Sequence, residues 1–197
     1  MTYGTSFRKF QLDPARLGET QIDGAAPGSA SNLSATGLEG GGWVFTWDAD
    51  LGAGAHEVRG QIFSGVIIGD LANLPIDAPF VINTTATGGA SVPSVAPFDS
   101  GFVVAWTSQG SDGSSEILGQ YFGDRGLKVG SEFQVNTTSN RPQLAPQIIV
   151  TPNLETIVTW RDDAATDERL VGQRFDPNGM KIGGEFVAGT GPASGMV

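Results

Sequence analysis

The residues best placed to do chemistry are acids that follow three tryptophans. Asp48, Asp50 and Glu57 come after Trp47, Asp112 and Glu116 after Trp106, and Asp162, Asp163, Asp167 and Glu168 after Trp160. Carboxylates on flexible loops, helped by backbone carbonyls, are what calcium requires, because it takes about six to eight oxygen ligands. Asp48, Asp50, Asp112, Glu116, Asp162 and Asp163 are therefore the candidate calcium ligands. The competing account is solvated turns whose acids keep a strand-rich chain soluble. A glycosidase would instead set two such acids across a cleft, about 5 to 10 Å apart. With 21 Asp and Glu in the chain, nothing in their order selects a pair.

Other chemistries are excluded more firmly. There is no cysteine, so no thiolate metal site, disulfide or Cys nucleophile exists, and the single histidine, His56, leaves no multi-histidine site. A net charge of −10 repels phosphate backbones, which bind by counterion release to Lys and Arg, so nucleic acid is not an expected partner. No apolar run reaches the roughly 18 residues of a membrane span, so membrane insertion is not expected. Met1 to Phe10 carries Arg8 and Lys9 without an apolar stretch behind them, and no cleavable secretory signal is expected there. Neither a G-x-G-x-x-G nor a P-loop is present.

The elements that must position these acids repeat. Trp47, Trp106 and Trp160 close the runs GWVFTW, GFVVAW and ETIVTW, and each is followed by a Gly-Gln pair at Gly60-Gln61, Gly119-Gln120 and Gly172-Gln173. Phe80, Phe133 and Phe186 stand 53 residues apart, whereas Phe63 and Phe122 are 59 apart because six residues are inserted between Phe63 and Asp77. The chain divides into a half unit over 1–30, units over 31–84, 85–138 and 139–191, and a tail over 192–197 that resembles the start of another unit.

Each unit reads as four strands without a helix. In the unit 85–138 these are Pro93 to Phe98, Phe102 to Thr107, Ile117 to Phe122 and Glu132 to Asn136, separated by Gly-, Asp- and Ser-rich turns. Phe102, Val104 and Trp106 alternate with Val103 and Ala105, so both faces of the second strand are apolar and both must be covered. The expected fold is all-β, a repeat protein of four-stranded antiparallel units, β-propeller-like, with a β-sandwich as the alternative. The periodic tryptophans then read as core, with Trp43 the more exposed aromatic, and the recurrent glutamines as buried amides that tie strands. Gly60, Gly119 and Gly172 are expected to admit a close neighbour such as a backbone or a Trp. Arg125, Lys128, Arg174 and Lys181 gather near the turn between strands three and four, on one outer rim. Asn83-Thr84-Thr85 and Asn136-Thr137-Thr138 match glycosylation sequons, but the 53-residue register accounts for both.

The segment GFVVAWTSQGSDGSSEILGQYFGDRGLKVGSEFQVNTT at 101–138 resembles the tandem repeats of very large secreted bacterial proteins, among them RTX-type calcium-associated adhesins. The resemblance implies an extracellular or cell-surface location and a modular architecture with calcium nearby. The nonapeptide calcium array of such proteins is missing here. The reading that follows is a non-catalytic structural or adhesion module, not an enzyme, that binds protein or glycan ligands through its loops. A lectin-like carbohydrate-binding propeller and a glycosidase- or sialidase-like enzyme are the alternatives. Unpaired edges at the half unit favour a homo-oligomer or a place in a longer chain.

Overall fold

Short runs of β-branched and aromatic residues, each closed by a turn, leave no stretch long enough for an amphipathic helix. The computed structural model accordingly places every regular element in a strand. It describes residues 30–65, 75–84, 89–110, 113–138, 140–163 and 167–192. The half unit expected before residue 30 and the tail after residue 192 lie outside the described residues, as does most of the insertion between Phe63 and Asp77.

Three antiparallel four-stranded sheets form three blades. Blade 1 contains β1 (Ala30–Gly37), β2 (Trp43–Gly52), β3 (Ala55–Phe63) and β4 (Phe80–Val81). Blade 2 contains β5 (Ser91–Phe98), β6 (Gly101–Gln109), β7 (Ser115–Phe122) and β8 (Lys128–Gln134). Blade 3 contains β9 (Gln143–Val150), β10 (Thr156–Asp163), β11 (Asp167–Phe175) and β12 (Lys181–Pro192). The first strands β1, β5 and β9 pack side by side and line the axis. They share no ladder; serines join them instead. Ser34 Oγ accepts the Val95 N–H at 3.2 Å, and Ser94 Oγ accepts the Ile148 N–H at 3.2 Å.

Each first strand also carries a left-handed residue near its start: Asn32 (φ 51°), Val92 (φ 50°) and Ala145 (φ 52°). The ladder to the second strand slips at these places, so each is a bulge that turns the beginning of the inner strand. The strain of a non-glycine residue in this region, about 1–3 kcal/mol each, is borne three times at one end of the axis.

Blade faces close against one another. Val44, Val58, Ile62 and Ile82 of blade 1 meet Val95, Phe102, Val104, Trp106 and Phe122 of blade 2. On the other side of blade 2, Ala96, Val103, Ala105, Ile117 and Val135 meet Ile148, Val158, Trp160, Val171 and Phe175 of blade 3. The middle sheet is thus covered on both faces, as the alternation in β6 requires, and a two-layer sandwich is set aside. The fold is β-propeller-like. Trp47, Trp106 and Trp160 are core side chains, no more than 2% exposed.

The Gly-Gln pair has a specific cause. The strand-four phenylalanine lies flat over the glycine: a methyl at Gly119 would sit 2.6 Å from Phe133 Cζ, and one at Gly60 2.8 Å from Phe80 Cζ. The close neighbour is therefore this phenylalanine, where a backbone or tryptophan was expected. At the adjoining glutamine the ladder to strand four slips. Gln120 Nε2 satisfies the carbonyl left there, donating to Val129 O at 2.9 Å, and Gln173 Nε2 donates to Ile182 O at 3.4 Å. This slip also starts β8 at Lys128, four residues earlier than the expected Glu132.

The expected outer rim of solvated basic residues is corrected for the lysines, which cross to the preceding blade. Lys128 Nζ donates to Thr84 Oγ1 at 3.1 Å, and Lys181 Nζ to Thr137 Oγ1 at 3.0 Å. Their companions Glu132 and Glu185 accept the N–H groups of Thr84 and of Thr137 and Thr138. The asparagines of both sequons are buried and accept strand-three N–H groups, Asn83 from Val58 at 2.8 Å and Asn136 from Ile117 at 2.9 Å. Thr84 and the pair Thr137-Thr138, each beside a buried asparagine, are joints between blades.

Candidate functional site

The ends of β2, β6 and β10 that run into β3, β7 and β11 lie at the same end of the axis as the bulged starts of β1, β5 and β9. Sequence expectation put the acids on loops after each tryptophan, and this is corrected: the described ones lie within the paired ends of β2, β3, β7, β10 and β11, because the strands run on past the tryptophans. Two of them reach the innermost strands. Asp48, 6% exposed, accepts from Ser31 Oγ and from Asn32 Nδ2, each at 3.1 Å, so the bulge in β1 aims both donors at it. Asp162, also 6% exposed, stands 3.5 Å from Gln143 Nε2 and 3.6 Å from Arg141 Nη1. Asp48 sits on the face of blade 1 turned toward blade 2, in line with Val44, and Asp162 on the face of blade 3 turned toward blade 2, in line with Val158 and Trp160. The two carboxylates bracket the end of the middle blade.

Three other acids bond within their own hairpins. Asp50 Oδ1 accepts the Gly52 N–H at 2.8 Å, Asp163 pairs with Arg161 at 3.5 Å, and Glu57 pairs with Arg59. Asp167 binds Arg141 at 2.8 Å and Arg169 at 3.1 Å. The Arg141 guanidinium holds the Asp167 carboxyl below the usual carboxylate range, and the guanidinium is itself pushed up by that bond. Glu116 lies half-buried in the β6–β7 ladder opposite Ser108. Asp112 lies outside the described residues. The five described candidate calcium ligands are divided among three hairpins, and among the described residues no three acids or histidines stand together as a metal-holding group. His56 faces Asp50 across the β2–β3 hairpin.

Arg141 and Gln143 are absent from the sequence-based candidates. Gln143 Oε1 accepts the Trp160 indole N–H while its amide faces Asp162, linking core to acid. Their one available signal was a polar pair opening a strand whose counterparts in the other units are apolar or small.

At the opposite end a cleft of about 480 Å³ opens between blades 2 and 3, lined by Phe98, Tyr121 and Phe133 and edged by Asp99, Ser131 and Asn178. The rings pack in series, Phe98 on Tyr121 at 4.7 Å and Tyr121 on Phe133 at 5.4 Å. Burial pushes the Tyr121 phenol up, and its hydroxyl meets Thr156 Oγ1 at 3.3 Å. A related cleft of about 410 Å³ lies between blades 1 and 2.

No family model matches the chain, and no curated protein matches it either. Solved structures do share its fold. An endo-arabinase from Bacteroides thetaiotaomicron superposes with a TM-score of 0.55 at 10% identity, over 88% of this chain and 66% of that one. A GH43 endo-arabinanase from Bacillus licheniformis gives 0.52 at 11% identity, over 82% of this chain and 60% of that one. An α-L-arabinofuranosidase from Lactobacillus brevis gives 0.54 at 11%, over 82% and 57%. The chain spans less than two thirds of the length of each. All three are enzymes by name, and none is an adhesin repeat. The expectation of a non-catalytic adhesion module, and of no enzymatic activity, is corrected by these neighbours in favour of the glycosidase-like alternative. The sequence misdirected because its repeated residues specify blade packing, which is common to propellers of every activity.

Proposed function

We propose that this chain is the propeller module of a glycosidase, acting at the end of the axis where Asp48 and Asp162 bracket blade 2. The observation that carries the reading is the shared fold with three arabinose-releasing or arabinan-acting enzymes over 82 to 88% of this chain. A glycosidase divides its work between two carboxyl groups, one protonating the leaving oxygen while the other activates water or attacks the anomeric carbon. Asp48 and Asp162 are both buried and bonded to first-strand side chains, which is how a propeller would fix such groups toward its axis. Substrates containing L-arabinofuranose are the first class to test.

The test is release of reducing sugar from arabinan, and of phenol from a panel of aryl glycosides that includes the α-L-arabinofuranoside. Hydrolysis that falls at least 100-fold in both Asp48→Asn and Asp162→Asn supports the proposal. No release from any substrate at high protein concentration, or release untouched by both substitutions, overturns it. A second reading, glycan binding without cleavage, is favoured by the aromatic cleft at the opposite end, because sugar rings stack on such faces. It predicts retardation in gels containing polysaccharide that Tyr121→Ala abolishes and Asp48→Asn leaves intact.

A further inference from the structure

The side chain of Gln143 has one possible orientation. An indole nitrogen can only donate, so the atom that meets Trp160 must be the amide oxygen, and Gln143 Oε1 accepts that bond. The amide nitrogen is thereby turned the other way with two hydrogens to place. One goes to Arg141 O at 2.9 Å, and the other faces Asp162 Oδ1 at 3.5 Å. Gln143 is 1% exposed and Asp162 6%, so little solvent competes for either contact.

Packing does not demand this glutamine. Blade 2 carries the same tryptophan, Trp106, 0% exposed, and its indole N–H has no partner among the described residues. Two residues before the bulges at Asn32, Val92 and Ala145 stand Ala30, Ala90 and Gln143, and two residues after Trp47, Trp106 and Trp160 stand Ala49, Ser108 and Asp162. Blades 1 and 2 thus fold with small residues at both places. Blade 3 replaces both at once, and the amide and the acid face each other on one rung of the β9–β10 ladder. A glutamine kept for the tryptophan alone would serve equally in blade 2, where Ala90 stands instead, so its tie is to the acid.

The two buried acids are also held differently. At Asp48 the donors are shared out, Ser31 Oγ to Oδ1 and Asn32 Nδ2 to Oδ2, so both oxygens are engaged. At Asp162 the Gln143 amide and Arg141 Nη1, 3.6 Å away, converge on Oδ1, and among the described residues nothing donates to Oδ2. Arg141 is anchored in turn to Asp167 at 2.8 Å. We propose that Gln143 is the positioning residue of Asp162: locked by the Trp160 indole, its amide holds Oδ1 and leaves Oδ2 as the oxygen that meets water or sugar. The role of Oδ2 rests on the glycosidase reading, and the hold on Oδ1 does not.

Two substitutions separate the duties of the amide. Gln143→Glu keeps the volume and an oxygen for the Trp160 indole but turns a second oxygen on Asp162. Gln143→Ala restores the arrangement with which blade 2 folds, and it alone decides if burying the glutamate unfolds the chain. On the aryl α-L-arabinofuranoside each should lower kcat about 10- to 100-fold, as a misdirected group near reacting atoms does, with KM changed less than about two-fold. A second readout needs no activity. In nuclear magnetic resonance of the isotope-labelled chain, Asp162→Asn should shift the side-chain amide signals of Gln143, identified by their loss in Gln143→Ala. Unchanged kcat in the folded variants, a loss carried by KM, amide signals indifferent to Asp162→Asn, or a Gln143→Ala chain that no longer folds overturns the inference. A wild type that hydrolyses nothing while the amide signals still move removes the glycosidase reading and supports the hold of Gln143 on Asp162.

Discussion

Gly119 and Gly172 occupy the same place in successive blades, yet a methyl should be felt differently at each. At Gly119 the Phe133 ring above is held by Tyr121 on one side and Phe175 on the other, both at 5.4 Å, and cannot swing away. Gly119→Ala should cost about 1–3 kcal/mol through overpacking. At Gly172 the covering ring is Phe186, 38% exposed and able to move outward, so Gly172→Ala should be nearly neutral in the same urea titration. Acid should expose a second residue-scale effect. Asp176 Oδ1 accepts the N–H groups of Asn178 and Met180, and these hold its carboxyl below the ordinary value. A lowered folded-state value means stability that is complete above about pH 4 and is lost as the pH falls through the folded value. The melting-temperature deficit of Asp176→Asn should therefore be present at pH 6 and vanish toward pH 3. At this scale the tryptophans, the glutamines and the sequon asparagines were legible in the sequence, because each recurs in register. Arg141 was not, since it pairs through space with Asp162 and Asp167 and has no repeated counterpart.

Strands were legible in number and order, and their interruptions were not. Bulges at Asn32, Val92 and Ala145 carry no glycine to mark them, and left-handed valine and alanine are among the conformations composition argues against. They arise from the inner strand's need to turn at the axis, which is a demand of the assembled blades. The contacts between first strands were likewise hidden, because isolated serines replace a ladder. Ser94 is 6% exposed and receives the buried Ile148 N–H, so Ser94→Ala should leave that donor without a partner at a cost of about 1–3 kcal/mol. Ser34 performs the same task at a less buried place, and Ser34→Ala should cost less. Comparing the two variants by thermal melt checks the order.

The whole molecule is a short array whose cooperativity rests on shared faces. Blade 2 alone among the described blades has both faces shut within the described core, with Phe102, Val103, Val104 and Trp106 at 0% exposure. Amide exchange should accordingly be slowest in β6 and β7 and fastest at the outer strands β4 and β12. If β12 were as protected as β6, the stacking of blades could not be the main source of stability. Architecture was the most legible property at this scale and activity the least. Packing residues recur with every blade, whereas acids such as Asp48 and Asp162 occupy places where the blades differ.

The joints between blades make the chain's length a separable quantity. Blades 1 and 2 each end in a socket, Thr84 in one and Thr137 in the other, and blades 2 and 3 each carry on the last strand a hook, the Lys and Glu that fit it. Excision of residues 85–137 would bring Thr84 of blade 1 beside Lys181 and Glu185 of blade 3, the same fit that the intact chain makes twice. A gene encoding such a protein can lose or gain a blade in one recombination between repeats without stranding a hook or a socket, while most single substitutions at those positions damage a joint.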